Sequence, residues 1–208
     1  MPQISQGKSK KKVENERVKW KNFRETWKDC QACPLHTTRH RICLAKGSVP
    51  ADVLFVGEAP GQSENVSGLP FDGPAGALLH EMIEDAWGGC GLNVGGIEKL
   101  RIAFTNIVCC IPLDESGDKV AEPEPAHAKA CSPRLIEFID KVAQPKATIF
   151  VGKYAAKWVK KLYPKTQSWI TAEITHPAAI LRADVGQQGL LVQRNTIMIR
   201  DVFEEVLK

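Results

Sequence analysis

No apolar run in the sequence comes near the roughly 20 residues that a membrane-spanning helix requires, and no apolar segment of a secretion signal follows the basic start. Both absences lead to the expectation of an intracellular, cytoplasmic protein with no membrane attachment. A phosphate loop is missing too: Gly88, Gly89, Gly91, Gly95 and Gly96 lack its spacing, no Gly-Lys-Ser/Thr follows, and they read as a loose connection. Without G-x-G-x-x-G and an acid at the right distance, a nucleotide-binding Rossmann-like protein is the weaker reading. Seven cysteines are an odd number, which argues against a complete disulfide framework. No internal repeat and no second domain are visible.

What is present suits one domain. With 208 residues, 43% of them hydrophobic, the chain can bury a substantial core, and a net charge of +4 permits an anionic partner without demanding one. The basic excess is local: Lys8, Lys10, Lys11, Lys12, Arg17, Lys19, Lys21 and Arg24 crowd the amino end, diluted by Glu14 and Glu16. Residues 1–12 are expected to be a disordered basic tail and 13–208 a single domain.

The organising stretch is 53–64. Val53 to Val56 is short and uniformly apolar, so it reads as a buried parallel strand, and the Gly-x-x-Pro-Gly turn after it carries Glu58, with Glu64 close behind. Ile102 to Val108, Ala147 to Val151 and Trp169 to Ile174 read as three more strands. Between them, helical periodicity appears at 75–87, around Cys131, at Tyr154 to Leu162 and in a closing segment from Met198 to Val206. Pro133 is expected to kink or restart the helix it interrupts. Residues 34–50 look irregular, with Arg39, His40 and Arg41 as possible phosphate contacts. Trp20, Phe23 and Trp27 form an aromatic stripe at helical spacing, favoured as core over nucleic-acid stacking. The alternation of strands and helices predicts an α/β fold, a three-layer α/β/α sandwich on a central, mostly parallel four-stranded sheet.

Cys30 and Cys33 form a C-x2-C pair, Cys109 and Cys110 are adjacent, and Cys131 follows at a distance. One local pair plus two dispersed cysteines can complete four ligands, and the spacing alone leaves zinc and a [4Fe-4S] cluster both open. Glu58 and Glu64, Asn106 and His176 all follow strand ends, where ligands bind in an open parallel sheet.

Taken together, Gly57-Glu-Ala-Pro-Gly61, Pro70-Phe71-x-Gly73-x-Ala75-Gly76, Thr105-Asn106, the four cysteines and His176-Pro177 resemble the family 4 uracil-DNA glycosylases, the iron-sulfur branch of that superfamily, over about Trp27 to Arg182. The resemblance implies hydrolysis of a base from DNA and a [4Fe-4S] cluster held by Cys30, Cys33, Cys110 and Cys131. It implies catalytic roles for Glu58, Glu64, Asn106 and His176, with Glu58 first of the two carboxylates. Phe71 would stack on a flipped pyrimidine, Gly57, Ala59, Pro60 and Gly61 would hold a DNA phosphate, and Leu181 and Arg182 would wedge into the duplex. A monomeric, nucleoid-associated enzyme follows from the same likeness. Departures cluster near this pocket: Asp72 lies beside Phe71 where the family generally carries Val, Asn65 replaces a common Asp, and no Asn-Arg follows Cys110. The substrate expected is therefore uracil or a modified pyrimidine, and the competing reading is a DNA-binding module that kept the fold and lost turnover.

Overall fold

The computed structural model describes residues 5–90, 96–165 and 169–208, with side chains from residue 13 onward. Residues 1–4 of the expected tail and residues 91–95 of the expected glycine loop lie outside the described residues. The first helix, α1, runs Ser5–Trp27 and so begins inside the stretch expected to be disordered. After Gly7 that stretch reads Lys-Ser-Lys-Lys-Lys, without Gly or Pro, and Lys is a good helix former.

Five strands form one sheet: β1 (Ala45–Gly47), β2 (Val53–Gly57), β3 (Ile102–Asn106), β4 (Ala147–Val151) and β5 (Ile170–Ile174), in the order β1-β3-β2-β4-β5. Four of them are parallel, as expected, and β1 corrects the strand count by adding an antiparallel edge against β3. Ala-Lys-Gly has neither the length nor the alternation that marks a strand. At its end Gly47 takes φ +103°, and a Cβ there would run into the Ile102 carbonyl.

Helices cover both faces. They are α2 (Gln62–Ser67), α3 (Pro74–Gly88), α4 (Pro125–Glu137), α5 (Lys153–Leu162), α6 (Pro177–Leu181) and α7 (Val185–Leu207). Successive side chains of β2 point to opposite layers. Leu54 and Val56 join Phe23, Leu135, Phe138 and Trp158 on one side, whereas Val53 and Phe55 join Leu79, Met82, Ile199 and Phe203 on the other. The aromatic stripe is core: Phe23 is 1% exposed and lies 5.2 Å from the Phe138 ring. Pro133 does not restart α4. Proline cannot donate to the carbonyl four residues back, and the Ser132 hydroxyl takes that carbonyl, on Lys129, at 2.8 Å instead.

Candidate active site

The carboxyl ends of β2, β3 and β5 open onto a cleft of about 610 Å³. The β2–β3 register pairs Gly57 with Asn106, so both exits stand at one level. Glu58, Ala59, Pro60 and Gly61 line the cleft, and so do Glu64, Phe71, Asn106, His176, Leu181 and Arg182. Gly57 lies beneath it: a Cβ there would collide with Asn106 Oδ1 and stand 2.6 Å from Phe71 Cζ. The missing side chain is what lets the amide and the ring approach each other.

The two carboxylates separate by environment. Glu64 Oε2 accepts the Gly61 N–H at 3.1 Å, capping α2 with its own side chain. Glu58 has no such tie, and burial, reinforced by the charge of Glu122, pushes its carboxyl up to about 7. Glu122 lines the same cleft with Val120 and Ala121, on the connection between β3 and α4. An isolated bridge between Leu113 and Val120 and the Tyr154 hydroxyl, which donates to Pro123 O at 2.9 Å, fix that segment's course.

His176 ends β5's exit and begins α6. Its Nδ1 accepts the Ala178 N–H at 3.1 Å, which assigns the proton of the neutral ring to Nε2. Burial, with a further push from Arg182, holds it down at about 4, so the ring is a neutral donor at ordinary pH. The residue before it is clamped by Asn195, fully buried on α7, whose amide exchanges two bonds with the Thr175 backbone at 2.8 and 3.0 Å. Asn195 was not picked out from sequence, because a polar residue in a helix announces nothing until the strand beside it is known.

Phe71 adopts φ +54°, uncommon for a bulky residue. Gly76 makes room, since a Cβ there would strike the Phe71 carbonyl. Lys46, from the edge strand β1, donates to that carbonyl at 3.0 Å, lies 3.3 Å from His80 Nε2 and sits over the Phe104 ring, against which Phe71 packs. Asp72 is not brought into the cleft. It is exposed, and its charge acts on Lys46 and His80. The inverted backbone at Phe71 turns consecutive side chains apart, a reversal the sequence does not signal. Leu181, 46% exposed, and Arg182 stand on the rim.

The cysteines form a separate group behind Asn106. Cys30 and Cys131 lie close enough to Cys33, and Cys33 and Cys131 close enough to Cys110, for their charges to raise those thiols, while Cys109 Sγ is turned to Leu44 O at 3.8 Å. Arg39, expected as a phosphate contact, turns inward instead and donates to Cys30 O at 2.7 Å and Cys110 Sγ at 3.1 Å. Four thiols with cationic donors beside them are a donor set suited to a thiolate-held centre. Among the described residues, no three Cys, His, Asp or Glu side chains converge on a single metal-ion position.

Placed against known proteins, residues 45–195 match the family described as the Uracil DNA glycosylase superfamily. The type-4 uracil-DNA glycosylase of Pyrobaculum aerophilum is 31% identical over 176 residues, which cover 76% of this chain and 82% of that protein. The chain belongs to the type-4 branch of the uracil DNA glycosylase superfamily. This type-4 chain is also 34% identical over 130 residues to the type-4 enzyme of Sulfurisphaera tokodaii, covering 62% of itself and 53% of the relative. Against that protein and its counterparts from Archaeoglobus fulgidus and Saccharolobus solfataricus, the match spans less than two thirds of the relatives' length. The crystal structure of wild-type Pedobacter heparinus SMUG2 shares the fold, with a TM-score of 0.55, 14% identity and 76% of each chain covered.

Proposed function

We propose that this protein is a monofunctional DNA glycosylase that hydrolyses the N-glycosidic bond of uracil, or of a related modified pyrimidine, flipped out of DNA, leaving an abasic site. The observation that carries this is the convergence of Glu58, Phe71, Asn106 and His176 on one cleft at the strand exits. Phe71 stacks on the extruded base, and the Asn106 amide pairs with O4 and N3–H of a uracil edge. The C1′–N1 bond breaks with its electron pair going to N1, and the neutral His176 donates from Nε2 to O2 of the departing base. Water adds to C1′, Glu58 takes its proton, and the same carboxylate stabilises the cation-like sugar. Backbone N–H groups of the 57–61 turn and Arg182 hold phosphate, and Leu181 fills the vacated stack.

Cys30, Cys33, Cys110 and Cys131 would hold a [4Fe-4S] cluster, whose role there would be structural. The protein acts on DNA as a monomer. Purified protein incubated with uracil-containing and modified-pyrimidine oligonucleotides, then with alkali, tests the reading. Strand scission at the modified position is the expected result, and intact strands for every pyrimidine would overturn it.

A further inference from the structure

Among the described residues Arg134 is the largest fully buried side chain, on the face of α4 that also carries Cys131 one turn earlier. Its guanidinium spans three consecutive residues of the β3 exit: Nη1 donates to Thr105 Oγ1 at 2.8 Å, and Nη2 to Asn106 O at 2.6 Å and Ile107 O at 2.9 Å. Thr105 Oγ1 in turn donates to Leu44 O at 2.8 Å, carrying the brace to the chain leading into β1. The third nitrogen, Nε, has no hydrogen-bond partner. A buried cation needs an opposite charge or full hydrogen bonding; α4 carries the Cys131 sulfur on the same buried face three residues earlier, and the β3 exit that the guanidinium braces runs on directly into Cys109 and Cys110.

We propose that Arg134 is a positioning residue that ties the cysteine group to Asn106, so that the base-reading amide is held in register only while the sulfur centre behind it is intact. This rests on the reading of Asn106 as the base-edge contact. The backbone of Asn106 is held from the Arg134 side by that guanidinium and from the β2 side by the register with Gly57. Removing the guanidinium frees two carbonyls and one hydroxyl in a dry interior, and the strand exit relaxes to satisfy them.

The test measures affinity for an oligonucleotide carrying non-hydrolysable 2′-fluoro-2′-deoxyuridine, divided by affinity for the same oligonucleotide carrying thymidine. It is run on the protein as purified, on Arg134→Met, on Cys131→Ser and on the double variant. Each single substitution is expected to lower the ratio about tenfold or more, because small displacements of a positioning group carry large penalties. The double variant should fall no further than the worse single one, the signature of one shared path. Arg134→Met retaining the full ratio, or the two losses multiplying, would overturn the coupling. A wild-type protein with no preference would overturn the base-reading role of Asn106 and the coupling with it. Should a substitution at 134 or 131 prevent folding, Thr105→Val removes one anchor of the guanidinium while keeping its shape. A threefold or larger fall supports the coupling, and an unchanged ratio overturns it.

Discussion

Burial and the neighbouring Glu122 push Glu58 up to about 7, so a carboxylate that must be ionised to accept a proton gains that form only near neutrality. Excision kcat/KM is therefore expected to rise through about pH 7 and then level off. His176, held down at about 4, adds no step in that range. The stability consequence has the opposite sense. Unfolded, Glu58 ionises near 4.5; folded, it resists until about 7, so its charge destabilises the protein fully above pH 7 and not at all below 4.5. Glu58→Gln should cost about 10²- to 10⁴-fold in excision. The same substitution should raise stability at pH 8 by on the order of 1 kcal/mol, allowing for partial exposure, and leave melting at pH 4 unchanged. Gly57→Ala forces a Cβ against Asn106 and Phe71; excision should fall steeply while the circular dichroism spectrum is retained.

At the level of elements, the site depends on pieces of backbone that carry little pattern. The four parallel strands were legible because each is a short segment rich in apolar and β-branched residues that stops at Gly, Asn or a Thr-His-Pro turn. β1 was not, being three residues at an edge, yet it delivers Lys46 to the strained Phe71 turn. Lys46→Met should lower stability by about 1.5 kcal/mol, the order expected for losing a charged donor, and raise KM for uracil-containing DNA as the Phe71 turn relaxes. Pro133 does not restart α4, because a local side-chain bond repairs what a proline usually breaks. Ser132→Ala removes that repair and should lower stability by about 1 kcal/mol in a denaturant titration.

Across the whole molecule, residue types at strand ends revealed the cleft, and the family's motifs revealed which chemistry to expect there. The sequence did not reveal which side of the Phe71 turn Asp72 takes, that Glu64 is spent on capping, or that Arg134 and Asn195 hold the walls, since each follows from three-dimensional pairing alone. Lys21, Arg24, Lys28 and Arg41 line a common groove beside the chain that leads to Phe71. DNA affinity should accordingly fall log-linearly with salt as phosphate contacts release counterions. The central claim is that Glu58 drives hydrolysis of a flipped base. Its most direct test is single-turnover cleavage of a uracil-containing oligonucleotide, revealed by alkali, for wild type and Glu58→Gln at pH 8. The account predicts an abasic product from the wild type and a loss of at least 100-fold in the variant with DNA binding retained. Equal rates for the two proteins would contradict it.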